Sequence, residues 1–197
     1  MRTFTSWKTA QGAETALADL LPQETFHEVR GALAFAAEQH GDQLRPTGDP
    51  YVAHLVEALE TAVAGAGIVD RDVLVALALH DVVEDTPCPI SSIADRFGER
   101  VAELVGWVTK PQTPTGGDKR EVKRAYLRSL ASAPDQAVLV KLADRVSNVQ
   151  ELHRMPEDFQ RRYHRETVDF ILPLAQREPW FADWFETWRK AWRELEA

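Results

Sequence analysis

The chain has 197 residues, of which 44% are hydrophobic and 27% are charged, and its formal net charge is −8. This composition is typical of a soluble globular protein and excludes a disordered, collagen-like or low-complexity chain. The negative charge argues against duplex DNA or RNA as a partner, because nucleic acid binding needs a basic face. A chain of this length buries about 70% of its unfolded surface, so we expect one domain over residues 1–197.

Three features bear on the location of the protein. Residues 1–8 are polar and aromatic, with no apolar run behind them, so we expect no signal peptide. The longest apolar runs, such as residues 73–79, are too short to span a membrane, so we expect no membrane partner. Cys88 is the only cysteine, which excludes an internal disulfide and is consistent with a reducing cytoplasm as the predicted location.

Apolar residues recur at three- and four-residue steps along nearly the whole chain, which predicts an all-α fold of about eight or nine helices. Between the helices, Gly48-Asp49-Pro50 precedes the second main stretch, and Asp70 is placed to cap the next one. Proline at position 87 ends that helix, and residues 110–118 predict a mobile loop. In chain order the clearest periodic stretches are residues 26–37, 52–63, 101–108 and 122–130, and apolar runs lie at residues 73–79 and 137–140.

The C-terminal segment, residues 178–196, carries a stripe of tryptophans at four-residue steps: Trp180, Trp184, Trp188 and Trp192. Such spacing predicts one apolar face of an amphipathic helix. This apolar face is suited either to core packing or to an interface between two copies of the chain. A homo-oligomer is therefore one of the two alternatives. We favour both readings over a ligand platform.

The segment LALHDVVEDT, residues 77–86, gathers polar groups into an apolar helical pattern. On a continuous helix, with about 100° per residue, these groups share one face. They are His80, Asp81, Glu84 and Asp85. Burying several carboxylates is costly without a compensating cation, and a divalent metal ion is the natural one. The alternative is a salt-bridging acidic helix end, which the helix dipole disfavours.

Two further segments contain candidate partners for this cluster. His54 follows Asp49-Pro50-Tyr51 near the start of an apolar-faced helix, and Asp144 follows the apolar run at residues 137–140. Each residue alone is weak evidence of a metal site, because His54 could cap a turn and Asp144 could pair with Lys141 or Arg145.

Four strings carry a resemblance to a known family: RPTGDPYVAH (45–54), LALHDVVEDT (77–86), FGERVAELVGWVTK (97–110) and VKLADRVSNV (140–149). Together they resemble the (p)ppGpp hydrolase domain of RelA/SpoT homologues, within the HD-superfamily phosphohydrolases. The resemblance covers about residues 26–175, with a looser match at residues 162–175. It implies a single HD-domain helical bundle with a buried mononuclear metal site, of the stand-alone small alarmone hydrolase type.

The resemblance also implies the chemistry. Two histidines and two aspartates of the family hold one divalent ion, usually Mn²⁺; by position these are His54, His80, Asp81 and Asp144. Imidazole and carboxylate ligands suit manganese. Glu84 and Asp85 match the pair that positions and deprotonates the attacking water. The implied reaction is hydrolysis of the 3′-pyrophosphate of ppGpp or pppGpp, giving pyrophosphate and GDP or GTP.

The nucleotide contacts of the family carry over in part. Arg45 matches an arginine against the guanine base, Thr47 stands where serine is common, and Asn148 matches an asparagine that faces the nucleotide. Two positions depart from the family pattern. Pro46 replaces a lysine at the mouth of the site, and Glu151 adds an acid where long family members have threonine.

Two other functions stay open on the same fold. One is a different HD phosphohydrolase that acts on NADPH or on other 3′-phosphorylated nucleotides. The other is a non-catalytic nucleotide sensor, which has no need to retain Glu84 and Asp85. A substrate panel with manganese separates these functions.

Overall fold

The computed structural model describes residues 1–7 and 9–196, with side chains up to residue 195. Within these ranges every regular element is a helix, and the β pairing is limited to an isolated bridge between Leu44 and Pro50. The predicted all-α fold is therefore confirmed. No helix in the described ranges is long and apolar enough to cross a membrane.

The helices in chain order are α1 (Ala10–Leu20), α2 (Gln23–His40), α3 (Tyr51–Glu60), α4 (Arg71–Leu79), α5 (Val82–Asp85), α6 (Ile90–Phe97), α7 (Glu99–Val108), α8 (Lys119–Ser129), α9 (Asp135–Val149), α10 (Glu157–Glu166), α11 (Leu172–Ala175) and α12 (Pro179–Ala191). Short π-helical turns at Thr61–Gly65 and Thr167–Ile171 follow α3 and α10. Short 3₁₀ turns lie at Leu130–Ser132, Leu152–Arg154 and Arg193–Glu196. The segments are shorter and more numerous than predicted.

Local sequence explains several helix boundaries. The Asp70 carboxylate accepts a hydrogen bond from the Val73 N–H at 3.0 Å, which is the predicted cap of α4. Gly98 joins α6 to α7 with φ of +96°, a conformation that favours glycine. The long loop predicted after α7 is present, because α8 begins only at Lys119.

The structure corrects one predicted element, since the helix expected to continue through His80 and Asp81 is divided there. His80 Nδ1 lies 2.6 Å from the carbonyl oxygen of Leu77. In a continuous helix that carbonyl would accept the N–H of Asp81, so the side chain competes with the backbone. The polar groups consequently do not share one helix face. His80 and Asp81 lie in a turn, and Glu84 and Asp85 follow on α5.

Helix α4 forms the centre of the molecule, because every residue from Val73 to Leu79 is buried. A helix that is apolar on all sides must be enclosed by other elements, and α2, α3, α7 and α9 pack around α4. The helices α3, α4 and α9 are mutual neighbours. Their shared junction is where the candidate site lies.

The tryptophan stripe packs into the core. Trp184 and Trp188 of α12 are buried, and Trp188 Nε1 donates to the Val149 carbonyl at 3.1 Å. The N-terminal segment closes on the same region. The N–H of buried Phe4 donates to Gln150 Oε1 at 2.7 Å, and Trp184 Nε1 donates to the Arg2 carbonyl at 2.9 Å. Both chain ends therefore pack around the C-terminal end of α9.

Candidate metal centre

Three separate elements bring the predicted ligands together. His54 lies in the first turns of α3, His80 follows α4, and Asp81 precedes α5. The two Nε2 atoms of the histidines are 3.1 Å apart, and Asp81 Oδ2 lies 3.4 Å from that of His54 and 3.2 Å from that of His80. One ligand atom from each of these residues lies within 4.8 Å of the others. This arrangement has the size of a metal-binding cluster.

Asp144, on α9, faces the same histidines. Its Oδ1 lies 3.3 Å from His54 Nε2 and 3.6 Å from His80 Nε2. Its Oδ2 accepts a hydrogen bond from Lys141 Nζ at 2.7 Å, so the alternative pairing with Lys141 is also present. Asn148, predicted to contact the nucleotide, donates from Nδ2 to Asp144 Oδ1. Lys141 thus holds Oδ2, while Oδ1 both accepts from Asn148 and faces the histidines.

The ring contact of His80 sets its tautomer. A backbone carbonyl only accepts hydrogen bonds, so Nδ1 must carry the proton that it shares with the Leu77 oxygen. In the neutral ring, Nε2 then presents a lone pair toward the cluster.

A chain of hydrogen bonds orients His54 in the same way. His54 Nδ1 lies 2.8 Å from Ser147 Oγ, and that hydroxyl donates to Glu57 Oε2 at 2.6 Å. Because the hydroxyl proton is used on Glu57, the serine oxygen accepts from His54 Nδ1. Arg45 Nη1 pairs with the same Glu57 oxygen at 3.0 Å. We call this chain of contacts the relay. Arg45, predicted to lie against the guanine base, is its last residue.

The residues present fit a divalent cation. Two nitrogen lone pairs that face each other at 3.1 Å, beside two carboxylates, repel unless a cation or a proton lies among them. Burial lowers the pKa of His80, but Asp81 and Asp144 outweigh burial and hold that pKa well above 6.5. Burial raises the pKa of both aspartates, but His80 and His54 hold the pKa of Asp81 well below its usual range. Lys141, with the same histidines, does so for the pKa of Asp144. These directions favour a proton within the cluster when no metal ion is bound.

The predicted acid pair is held by other parts of the chain. Glu84 Oε2 accepts from the Lys110 N–H at 2.8 Å, and its other oxygen pairs with Lys110 Nζ. Asp85 Oδ2 lies 2.7 Å from the Tyr51 hydroxyl, which is also 2.5 Å from Asp81 Oδ2. The hydroxyl has one proton, so it donates to one of these carboxylates at a time. Tyr51 thus connects a candidate metal ligand to the acid pair.

Tyr51 belongs to the DPYVAH string, but no role was predicted for it. Its ring stacks on His40 with centroids 4.3 Å apart. Burial, together with Asp81 and Asp85, raises the pKa of the Tyr51 phenol far above 10.0, so it stays protonated. Tyr51 stands three positions before His54, so the two side chains share a helix face. This spacing was the sequence signal for a role of Tyr51 at the site.

Two further residues of the site also had no predicted role. Glu57 lies three residues after His54 on α3, and Ser147 lies three residues after Asp144 on α9. Residues three apart on a helix share a face, so this spacing was the signal in the sequence. The contact between Glu57 and Ser147 depends on how α3 packs against α9, which the sequence pattern does not give.

The loop before α3 holds the remaining predicted positions. Thr47 Oγ1 donates to Asp49 Oδ2 at 2.7 Å, and Asp49 pairs with Arg154 at 2.8 Å. Arg154 also pairs with Glu151 at 3.0 Å, so the charge of Glu151 has a partner outside the metal cluster. Pro46 is exposed. Thr47 and Glu151 are therefore parts of one network that fixes this loop.

Comparison with known proteins adds a family match. The family model described as HD domain matches residues 32–181. The chain is 39% identical over 152 residues to a guanosine-3′,5′-bis(diphosphate) 3′-pyrophosphohydrolase of Aquifex aeolicus, covering 76% of this chain and 21% of that protein. It is 36% identical over 160 residues to the bifunctional (p)ppGpp synthase/hydrolase SpoT of Escherichia coli K12, covering 80% of this chain and 22% of that protein. The chain thus spans about a fifth of these curated relatives.

Two solved structures share the fold. One is a metazoan orthologue of SpoT, described as hydrolysing ppGpp and playing a role in starvation responses. It matches with a TM-score of 0.75 and 28% identity, over 85% of this chain and 96% of that one. The other, a protein of Listeria monocytogenes EGD-e, matches with a TM-score of 0.56 and 22% identity, over 76% of this chain and 99% of that one. The second likeness concerns the fold alone.

Proposed function

This chain belongs to the HD domain family, and from this premise we propose that it hydrolyses the 3′-pyrophosphate of ppGpp or pppGpp. The products are pyrophosphate and GDP or GTP. The observation that carries the proposal is the convergence of two imidazole lone pairs and two carboxylates beside Glu84 and Asp85. Support also comes from relatives named for this reaction, at 39% and 36% identity.

The HD domain family implies a divalent metal ion, and we assign Mn²⁺. Its proposed ligands are His54, His80, Asp81 and Asp144. Mixed imidazole and carboxylate ligands favour a transition ion over Mg²⁺ or Ca²⁺, which prefer all-oxygen sites. When bound, the ion would polarise the phosphoryl group and offset its negative charge. Ser147 and the Leu77 carbonyl place the proton of each neutral ring on Nδ1, so both Nε2 atoms would offer a lone pair to the ion.

Glu84 and Asp85 are the proposed acid–base pair. Hydrolysis adds the oxygen of water to the released pyrophosphate and a proton to the 3′ oxygen of the nucleotide. A carboxylate of the pair accepts the proton of the attacking water, and the same proton is then available for the 3′ oxygen. Lys110 orients Glu84, and the Tyr51 hydroxyl orients Asp85. Tyr51 stays protonated, so it acts as a donor and a positioning residue.

Arg45, Thr47 and Asn148 remain the proposed contacts to the guanosine polyphosphate. In the structure these side chains bind Glu57, Asp49 and Asp144 respectively. The nucleotide must therefore share or replace these contacts when it binds. We keep residues 1–197 as one HD-type hydrolase unit, and the cytoplasm as its location on the basis of the single Cys88.

A substrate panel tests this proposal. Purified protein with Mn²⁺ should release pyrophosphate from ppGpp and pppGpp, chelation should abolish the reaction, and Mn²⁺ should restore it better than Mg²⁺ or Ca²⁺. Orthophosphate release from NADPH, with no pyrophosphate from ppGpp, would instead establish the alternative phosphohydrolase. Tight binding of ppGpp without turnover of either substrate would establish the sensor. Full activity in a metal-free preparation would overturn the metal assignment.

A further inference from the structure

A second charged region lies away from the metal cluster. We call it the basic cleft: a cavity of about 860 Å³ between α8 and the segment formed by α10 and the π-helical turn after it. Seven of its lining side chains are cationic and three are acidic, which leaves four positive charges in excess. The whole chain has a net charge of −8. Positive charge is therefore concentrated here in an otherwise acidic protein.

Most of these cations lack an acidic partner. Lys123 pairs with Glu166, and Arg161 pairs with Glu157. Within the described residues, no ion pair is formed by the other five cations of the cleft, which are Lys119, Arg120, Arg124, Arg162 and Arg165. Like charges that face each other across a cavity raise the free energy of the protein unless an anion enters.

The residues beside Lys123, on the inner side of the cleft lining, also carry positive charge. Burial lowers the pKa of Lys123, the carboxylate of Glu166 opposes this, and the nearby positive charges of Arg145 and Lys110 lower it further. Arg145 is buried, with its Nη1 donating to Thr167 Oγ1 at 3.2 Å and its Nε without a hydrogen bond in the described part of the chain. An anion in the cleft would offset this positive charge.

The basic cleft is separate from the proposed catalytic site. None of its lining residues is a proposed metal ligand, acid–base residue or nucleotide contact. The Tyr163 ring contacts a cation of the cleft and a cation of α9, with Lys123 Nζ 5.2 Å from the ring centroid and the guanidinium carbon of Arg145 4.2 Å from it. Arg145 adjoins Asp144 on α9.

The cleft also has an apolar part, formed by Leu127 and the half-buried ring of Phe170. Its volume lies within the range of about 300–1,000 Å³ that is typical of small-molecule sites. Arginine forks match phosphate oxygens, and apolar walls suit a planar base. We propose that the basic cleft binds a nucleoside polyphosphate at a second site, distinct from the metal centre. A longer nucleic acid is disfavoured, because the acidic surface outside the cleft would repel it.

Calorimetric titration in a chelating, low-salt buffer tests the second site without any contribution from a divalent ion. The probes are GTP, inorganic tripolyphosphate and a short single-stranded oligonucleotide. We expect GTP to bind more tightly than tripolyphosphate, because only GTP has a base for Leu127 and Phe170. The double variant R124E/R165E should weaken GTP binding at least about tenfold. The control variant R128E changes an exposed arginine of α8 that lies outside the cleft. Its dissociation constant for GTP should stay within about twofold of that of the original chain.

The variant R45A separates the two sites. GTP binding that R45A abolishes and R124E/R165E leaves unchanged would place the nucleotide at the proposed catalytic site and overturn the proposal. Equal affinity for GTP and tripolyphosphate would contradict recognition of the nucleoside and leave a site for polyphosphate alone. Tighter binding of the oligonucleotide would identify a nucleic-acid surface instead. Circular dichroism and thermal unfolding confirm that each variant is folded, and the absence of GTP binding by the original chain also refutes the second site.

Discussion

The side chains of His54, His80 and Asp144 are each at most 5% exposed, whereas the Glu84 side chain is 23% exposed and Asp85 lies at the surface. Both groups carry the proposed chemistry, but the protein holds them differently. Three of the proposed ligands are buried, and His54 among them is fixed by Ser147, which is also buried. The fourth, Asp81, lies in the turn before α5 with its side chain 20% exposed. The acid pair depends on contacts from other segments.

Those contacts come from Lys110, at the start of the long loop before α8, and from the Tyr51 hydroxyl. Ligand geometry is therefore built into the packing of α3, α4 and α9, while the position of the acids depends on a loop and one hydroxyl. A change at a ligand should cost both structure and activity. A change at the acid pair should cost activity alone.

The largest effect is expected for H80A. Without this imidazole the proposed site loses a ligand, and its carboxylates are left uncompensated. The variant should purify without bound manganese, show no detectable hydrolysis of ppGpp, and melt below the metal-loaded parent. Metal analysis, activity and thermal unfolding measure these outcomes. H27A, which removes an exposed histidine of α2, is the matched control and should retain the metal.

E84Q should separate chemistry from metal binding. The amide keeps the size of the side chain but accepts no proton, so kcat should fall by about 10²–10⁴-fold while KM changes little. Manganese content should remain that of the parent. E121Q, at an exposed position of α8, should leave both quantities unchanged. Loss of metal in E84Q would make Glu84 a ligand, and near-normal kcat would remove it from the mechanism.

S147A should weaken the metal site without removing a ligand. It breaks the relay from His54 to Glu57, so the His54 ring loses the partner that fixes its tautomer. Manganese affinity should fall by about 10–100-fold, with activity recovering at saturating metal. S132A, at an exposed position before α9, is the control. Unchanged affinity in S147A would show that the relay does not tune the site.

The pH dependence of the metal-free protein gives a smaller effect. Because the pKa of His80 is raised above 6.5 in the folded protein, its stabilising contribution is complete below 6.5 and is lost as pH rises through the folded pKa. The lowered pKa values of Asp81 and Asp144 change the stability of the fold only at acid pH, below 3.8. The melting temperature of the metal-free chain should therefore decline with rising pH above neutrality.

Manganese should reverse this decline, because at higher pH fewer protons compete with the ion for His80. The H80A variant supplies the control and should lack the His80 contribution to the pH dependence. A metal-free parent whose melting temperature follows that of H80A across this range would contradict the coupling.

P46K should produce the smallest change. The lysine supplies a positive charge at the exposed loop position where the family pattern has one, so KM for ppGpp should fall a few-fold with kcat similar. Proline also rigidifies the turn closed by the Gly48 N–H on the Arg45 carbonyl, and its loss offsets part of the gain. Steady-state kinetics decide the outcome. An unchanged or raised KM would show that position 46 does not face the substrate.

The sequence predicted the helical class and grouped the residues that meet at the cluster, because both depend on periodicity and on motif strings. It failed at His80, where a ring contact with the Leu77 carbonyl ends the helix. Periodicity reports which face is apolar, but it does not report competition between a side chain and the backbone. The relay through Glu57 and Ser147 joins residues 90 positions apart, so it exists only once α3 and α9 have packed.

The residues predicted to bind nucleotide illustrate a different limit. A family resemblance assigns Arg45, Thr47 and Asn148 by their contacts with a ligand, but the structure shows each of them bound to an acid of the protein itself. Asp49 and Asp144 lie in the same strings as Thr47 and Asn148, but Glu57 lies outside the string that contains Arg45. Only the folded structure shows which acidic residue each of these side chains would have to release in order to bind a nucleotide.

The closure of the N-terminal segment on α9 and α12 has a consequence for synthesis. Phe4 and Gln150 are separated by 146 residues, and Arg2 and Trp184 by 182 residues. The ribosome releases Phe4 early, but the aromatic residues of α12 that enclose it emerge only after α9 is complete. Contacts between residues this far apart in sequence are slow to form. A nascent chain that pauses before α12 therefore exposes Phe4 and leaves the C-terminal end of α9 uncovered, which makes that stage a point of exposure to chaperones and proteases.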